Sequence, residues 1–125
     1  MRTISIEIGK ISLRIELDDS PTALAVASAL PIESLANRWG DEIYFETPVR
    51  LPKAKEAREQ VQIGEVGYWP PGHAFCIFFG PTPASQDERP RAASPVNVFG
   101  KVLEDPSILR RVKDGAKVLL RSIPS

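Results

Sequence analysis

The chain has 125 residues, 42% hydrophobic and 26% charged, a composition typical of an ordinary globular protein and unlike that of a disordered one. Because 16 Lys and Arg residues balance 16 Asp and Glu residues, no long-range positive field attracts the phosphates of a nucleic acid. We predict a single domain over residues 1–125 with no nucleic-acid partner.

Nothing in the sequence indicates a membrane or secreted protein. Every apolar run is much shorter than the roughly 20 residues that span a bilayer, and the first residues alternate Ile with polar residues instead of forming the apolar block of a signal peptide. We therefore expect a cytoplasmic protein with no membrane partner. The single cysteine, Cys76, lies in an apolar run and is expected to be a buried, inert core residue.

The N-terminal residues predict a β-hairpin. Ile or Leu alternates with polar residues over residues 4–8 and again over residues 11–17, which is the period of half-buried strands. Gly9 and Lys10 lie between the two strands, and a glycine at the first central position suits a tight type II′ turn.

A short helix is predicted after the hairpin. Ser20 or Asp19 can cap free backbone amides, Pro21 suits the first helical position, and Pro31 stops the helix. The side chains expected to form its buried stripe are Leu24, Ala27 and Leu30, with Val26 beside them.

Residues 41–47 predict another strand with two unlike faces. Ile43 and Phe45 lie on one face, and Glu42, Tyr44 and Glu46 lie on the other. Two carboxylates that flank a phenol could perform acid–base chemistry or hold a cationic ligand. The favoured interpretation is a solvent-facing strand surface, because side-chain alternation alone produces such rows.

The middle of the chain predicts two strands and two irregular stretches. Residues 53–60 are polar and read as a solvated excursion with at most one helical turn. Residues 66–69 and 74–79 predict strands joined by a Trp-Pro-Pro-Gly turn. Residues 80–95 are rich in Pro and Ser and predict a long loop, of a length that is usually functional or mobile.

The C-terminal part predicts a strand, a helix and a last strand. The strands cover residues 96–102 and 116–123, and Asp105 with Pro106 begins a helix between them. The residues expected to be buried on this helix are Ile108, Leu109 and Val112. The whole pattern gives seven or eight strands with two short helices, and barrel closure would remove exposed sheet edges.

The candidate functional residues are few. Tyr68 and Trp69 precede two prolines and either form an aromatic surface for a peptide or flat ligand, or fill the core. His73 is the only histidine and is expected to be an exposed turn residue, so no metal site or cofactor is predicted. Ser85 and Ser94 lack the glycine–serine elbow of a hydrolase, and no glycine spacing matches a phosphate-binding loop.

Two segments resemble the cyclophilins: residues 13–23 (LRIELDDSPTA) and residues 98–104 (VFGKVLE). The resemblance implies a mainly β fold, a closed or nearly closed cyclophilin-like β-barrel of about eight strands with two short helices. Residues 37–45 (NRWGDEIYF), 67–72 (GYWPPG) and 78–83 (FFGPTP) resemble a small bacterial and archaeal family of cyclophilin-like proteins of unassigned function.

The residues of cyclophilin prolyl isomerisation are missing from the positions that the resemblance implies. Cyclophilins place a catalytic arginine in a strand that corresponds to residues 42–48, which hold none. Cyclophilins also place a histidine and a tryptophan shortly before the VFGK motif. At the corresponding positions, counted back from Val98, this chain has Val96 and Arg91, and neither matches. Arg50, Arg89 or Arg91 would have to supply a guanidinium from another direction.

We therefore predict a binding domain that holds a peptide or small molecule on the outer face of the barrel. One alternative is a prolyl isomerase with a displaced arginine. The other is a small partner subunit of an amide-hydrolysing enzyme, which the family resemblance implies because subunits of such enzymes have cyclophilin-like folds. The predicted ligand-binding residues are Tyr44, Glu46, Trp69, His73, Phe75, Thr82 and Ser85.

Overall fold

The computed structural model describes residues 2–123, so the ends of the predicted domain, residue 1 and residues 124–125, lie outside the described residues. An α-helix, α1 (Pro21–Ala29), and two 3₁₀ helices, Pro70–Gly72 and Pro106–Arg111, accompany the strands. The strands are β1 (Arg2–Ile8), β2 (Ile11–Leu17), β3 (Ile32–Leu35), β4 (Asn37–Arg38), β5 (Glu42–Glu46), β6 (Arg58–Gln60), β7 (Glu65–Trp69), β8 (Ala74–Phe78), β9 (Arg91–Val102) and β10 (Lys117–Ser122).

The strands form one antiparallel sheet that curls into a nearly closed barrel. Their order is β3-β10-β1-β2-β9-β7-β8-β5-β4, with β6 paired to β9 beside this path. The two ends of the order, β3 and β4, are consecutive in the chain with only Ala36 between them, so one short segment bridges both edges. The predicted mainly β barrel is confirmed.

The predicted strand number is wrong, because the described residues form ten strands rather than about eight. The three that the sequence did not indicate are β3, β4 and β6, of four, two and three residues. β4 and β6 are too short to show the two-residue alternation that identifies a half-buried strand, and the four residues of β3, IESL, do not alternate.

The first hairpin and its turn are confirmed. Ile8 pairs with Ile11, and Gly9 has a φ of +59°. Lys10 keeps a negative φ, so the positive φ is confined to the first central position, as in a type II′ turn.

Helix α1 begins as predicted but buries a different face. The Ser20 hydroxyl accepts a hydrogen bond from the backbone N–H of Ala23 at 3.2 Å, and Pro21 occupies the first turn. Of the residues expected to be buried, Leu24 is wrong, since it is 57% exposed. Ala27 and Leu30 are partly buried against the core, and Val26 is fully buried. The buried residues are Thr22, Ala23 and Val26, because the helix rests on β9 through its first turn, where Asn97 donates to Thr22 Oγ1 at 3.2 Å.

The second helix is a 3₁₀ helix, and its geometry corrects the predicted buried face. Asp105 caps it by accepting from Ser107 N at 3.0 Å. Side chains three residues apart lie above each other in a 3₁₀ helix. Leu109 and Val112 therefore share the buried side, whereas Ile108 is turned outward and is 39% exposed.

Two stretches predicted to be irregular contain strand structure. The excursion at residues 53–60 has no helical turn. Instead, a hydrogen-bonded turn from Ala57 N to Ala54 O at 3.2 Å leads into β6. The long loop ends at residue 90 rather than 95, because β6 pairs with the first half of β9, with Gln60 opposite Arg91.

The first half of β9 creates a second, smaller apolar cluster on the outside of the barrel. Inside the barrel, alternate residues such as Ile43, Phe45 and Phe99 form the main core. Outside, Ala92 and Val96 of β9 cover the outward residues of β8; the buried members of the cluster are Val61, Ala74, Cys76, Phe78, Ala92 and Val96. Strand β8 is thus buried on both faces, and Cys76 is a core residue as predicted.

No helix among the described residues is both long and apolar enough to cross a membrane.

Candidate functional site

A pocket of about 210 Å³ opens on the outer face of the barrel beside the second cluster. Three aromatic rings, one carboxyl group and three small aliphatic side chains line it: Trp39, Tyr44, Trp69, Glu42, Ala92, Ala93 and Val96. The lining comes from the β4–β5 turn, from β5, from the end of β7 and from the first half of β9. We call these seven residues the aromatic pocket.

The β4–β5 turn fixes the positions of Trp39 and Glu42. Their backbones exchange two hydrogen bonds, from Trp39 N to Glu42 O at 2.9 Å and from Glu42 N to Trp39 O at 3.2 Å. The Arg38 guanidinium braces the turn by donating to Gly40 O at 2.9 and 3.0 Å. Gly40 has a φ of +60°, and a Cβ there would lie 2.8 Å from Pro83, so the turn requires glycine.

The Trp69 ring is held at its edge and against its neighbouring turn. Its indole N–H donates to the Ser94 hydroxyl at 2.6 Å. The six-membered ring lies so close to Gly72 that a Cβ at that residue would come within 2.7 Å of Cε3 and Cζ3. The glycine of the Trp-Pro-Pro-Gly turn therefore makes room for the ring, which is preorganised as one side of the pocket.

Glu42 is an acidic side chain in an apolar setting. It is only 6% exposed and lies opposite Phe78 in the β5–β8 pairing. Burial raises its pKa from 4.5 to about 7, partly offset by a hydrogen bond with the Cys76 thiol. Desolvation likewise raises the pKa of Cys76, so the thiol stays neutral and the carboxyl is the group that titrates near neutral pH.

This burial corrects the interpretation of the outward row of β5. A solvent-facing surface describes Glu46, which is exposed, but not Glu42, which is buried, or Tyr44, which is half-buried. The reason is that the first half of β9 packs over this end of the outer face and excludes solvent from it.

The structure brings together only two of the seven predicted ligand-binding residues. Tyr44 and Trp69 both line the aromatic pocket. Glu46 ends β5 outside the pocket lining, and half-buried His73 follows the Pro70–Gly72 turn with a φ of 50°. The His73 carbonyl accepts from Thr47 N and from Thr47 Oγ1, both at 2.9 Å, so its backbone ties the end of β5 to this turn.

Phe75 does not belong to any outer-face site. Its side chain is fully buried, stacked on Phe45 with ring centroids 5.0 Å apart and edge-on to Phe99 at 5.3 Å. It faces inward because residue 75 has the opposite strand parity to the outward-facing residues 74, 76 and 78. Tyr68 is likewise a core residue, and its hydroxyl donates to Val49 O at 2.8 Å.

Thr82 and Ser85 fold the loop that contains them. Thr82 is buried and its hydroxyl donates to Arg91 O. The Ser85 hydroxyl accepts from Thr82 N at 2.9 Å and donates to Arg89 O at 2.7 Å. These bonds occupy the hydroxyl groups within the loop, and neither residue lines the aromatic pocket.

Sequence reasoning missed most of the remaining lining. Glu42 belongs to the predicted outward row on β5 but is not among the predicted site residues, and neither is Trp39. Ala92 and Ala93 were missed because β9 was expected to begin only at residue 96, and Val96, which lies in the predicted strand, was not placed in the site. Only Trp39 had a recognisable signal in the sequence. It is a large aromatic residue shortly before the predicted strand that carries Glu42 and Tyr44 on its outward face.

The three arginines that could have replaced the cyclophilin guanidinium are bound elsewhere. Arg50 donates to Thr47 O at 2.8 Å, Arg89 pairs with Asp87 at 2.7 Å, and Arg91 pairs with Glu59 at 3.4 Å. Within the described residues, the aromatic pocket contains no arginine. Residues 2–123 also contain no group of three or more His, Cys, Asp or Glu side chains arranged to hold a metal ion.

A larger groove of about 710 Å³ lies between the start of α1, residues 51–58 and the second half of β9. Its lining mixes carboxylates such as Glu16 and Glu56 with amines such as Lys53 and Lys101, without an aromatic ring. It is about three times as large as the aromatic pocket, but none of the carboxyl groups among its described lining residues is buried as Glu42 is. We therefore take the aromatic pocket as the candidate site.

Comparison with known proteins agrees with this fold. The family model described as cyclophilin-like matches residues 2–121. The chain is similar to a hypothetical protein from Archaeoglobus fulgidus with a known solution structure: 42% sequence identity over 98% of this chain and 95% of that one, with a TM-score of 0.82. No curated protein matches the chain. The family match spans almost the whole sequence, and the chain therefore belongs to the cyclophilin-like family.

Proposed function

We propose that this protein is a binding domain that accepts one small group of a peptide or small-molecule ligand in the aromatic pocket. The observation that carries the proposal is the burial of the Glu42 carboxyl among three aromatic rings in a preformed cavity. An apolar pocket with one convergent polar group and a perturbed pKa is the usual form of a ligand site.

The size of the pocket limits what can enter it. Sites for drug-sized molecules occupy about 300–1,000 Å³. A volume of about 210 Å³ admits a single head group or amino-acid side chain rather than a whole peptide. The rest of the ligand would lie outside, over the exposed rim residue Ala93.

Prolyl isomerisation is the alternative that comes with the family resemblance. The strand that corresponds to the arginine-bearing strand of cyclophilins is β5, and it presents Glu42 to the pocket instead. Among the described residues, the lining of the aromatic pocket holds no guanidinium that could donate a hydrogen bond to a prolyl nitrogen. Binding therefore ranks above isomerisation, and the role of partner subunit stays a prediction.

The test is a ¹⁵N NMR screen of small molecules and an alanine-proline peptide against the protein. The chain has two tryptophans, and both line the pocket, so their indole N–H signals report occupancy directly. We expect ligands that shift both signals and that no longer bind to Ala93→Phe, in which a ring covers the pocket mouth. Ser12→Phe, at an exposed position of β2, is the matched control and should bind normally.

Two results would overturn the proposal. One is a screen in which no compound shifts the indole signals, or in which Ala93→Phe binds every ligand unchanged. The other is accelerated cis/trans exchange of the alanine-proline peptide that is lost when Arg50, Arg89 or Arg91 is replaced, which would establish isomerisation with a displaced arginine.

A further inference from the structure

We propose that the group accepted by the aromatic pocket is an organic ammonium cation, held by the π-faces of Trp39, Tyr44 and Trp69 and by the carboxylate of Glu42. This inference rests on the proposed function and specifies its ligand class. It follows from the composition of the lining, which combines three electron-rich rings with one acidic group and no basic one.

The aromatic rings favour a cation whose charge is spread over carbon. A cation over the face of Trp or Tyr is attracted by the ring quadrupole, and Trp gives the strongest attraction. Recognition of quaternary ammonium groups by cages of aromatic side chains is a known use of this interaction. Two of the three rings here are indoles, and the Trp69 ring is fixed by Ser94 and Gly72 before any ligand binds.

The carboxyl of Glu42 supplies the formal charge that such a ligand would balance. When it ionises, it is the only full charge in the pocket lining. Charged side chains next to the lining residues in the chain form ion pairs: Arg38 with Asp41 at 3.4 Å before β5, and Arg91 at the start of β9 with Glu59 at 3.4 Å. On β8, the group that faces the carboxyl is the neutral thiol of Cys76.

An inorganic cation does not fit the same lining. Calcium and magnesium need about six oxygen ligands, and this pocket offers the oxygens of one carboxyl and one phenol among aromatic and aliphatic carbon. An alkylated ammonium group needs no such shell, because its methyl groups lose little hydration when they contact rings and alanine side chains. The volume of about 210 Å³ also suits a compact head group.

Cation binding and proton release are then linked. The free carboxyl titrates near pH 7, so a fixed positive charge beside it lowers its pKa and expels the proton. If only the ionised form binds, affinity falls by about tenfold between about pH 8 and about pH 6, since the ionised fraction falls by that factor.

The experiment measures quenching of tryptophan fluorescence by choline and by 3,3-dimethyl-1-butanol, its uncharged carbon isostere, at constant ionic strength. At about pH 8 we expect choline to bind the full chain at least about tenfold more tightly than the alcohol. Glu42→Gln should reduce this preference to the smaller part that the rings supply, while the alcohol binds as before, and Glu46→Gln, on the same strand but outside the pocket, should retain it in full.

Each other outcome has a distinct meaning. Equal affinities for choline and the alcohol, both lost in Ala93→Phe, would overturn the cation assignment and leave the proposed binding function standing. A choline preference that is undiminished in Glu42→Gln would overturn the assignment of Glu42 as the anionic partner of the cation. Absence of saturable quenching by either probe would refute the cation pocket, and the NMR screen would decide separately whether the domain binds anything else.

Discussion

Replacing Glu42 by Gln should stabilise the protein at alkaline pH and leave it nearly unchanged at acidic pH. Glu42 is buried in the folded chain, where desolvation raises its pKa from 4.5 to about 7. Glutamine has almost the same shape but does not ionise, so the substitution removes the cost of holding a buried charge and little else.

The magnitude follows from the shift in pKa. At 1.36 kcal/mol per pKa unit, the difference between 4.5 and about 7 corresponds to roughly 3 kcal/mol. The native state holds this proton more tightly than the unfolded state does, so the contribution of Glu42 to stability is fully present below about pH 4.5 and is lost as the pH rises through about 7. In the glutamine variant this decline is absent.

The assay is urea denaturation of both proteins between about pH 4 and about pH 8.5, followed by far-ultraviolet circular dichroism. We expect the free energy of unfolding of Glu42→Gln, minus that of the parent, to rise by roughly 3 kcal/mol across this range. Other titrating groups cancel in the difference. The control is Glu46→Gln, at an exposed position of the same strand. Its free energy of unfolding, minus that of the parent, should not change with pH. A change below about 1 kcal/mol for Glu42→Gln would refute the reasoning.

Three further predictions test the surroundings of the site. Gly72→Ala should displace the Trp69 ring, seen as a shifted indole N–H signal with faster solvent exchange; an unchanged signal would contradict the close packing. Asn97→Ala removes the three hydrogen bonds of a buried side-chain amide and should lower the free energy of unfolding in denaturant by about 2–4 kcal/mol. A loss below about 1 kcal/mol would show that these hydrogen bonds contribute little to stability. Cys76 should resist thiol reagents until the protein unfolds, so native labelling would disprove its burial.

How much of this fold the sequence reveals depends on the length of each element. The first hairpin and the cap of α1 carry strong local signals: alternating isoleucines, a glycine turn and a serine before a proline. The face of α1 could not be predicted, because Thr22 turns inward for a tertiary hydrogen bond with Asn97 that no local pattern encodes.

The site was harder to predict than the fold for a topological reason. Alternation correctly placed Tyr44 outward on β5, and the turn motif marked Trp69. Their partners Ala92 and Ala93 come from the first half of β9, which the sequence did not indicate because its prolines and serines are typical of loops. Phe75 was misassigned because β8 is apolar on both faces, and such a run does not show which side chains face the barrel interior.

The most direct test of a cation-binding pocket built on Glu42 is the pKa of that carboxyl, measured by ¹³C NMR in glutamate-labelled protein with and without saturating choline. The Glu42→Gln variant identifies the resonance by its absence. The account predicts a midpoint near 7 in the free protein that moves to lower pH when choline is bound. A midpoint near the ordinary value of 4.5, or one near 7 that choline leaves unchanged, would contradict it.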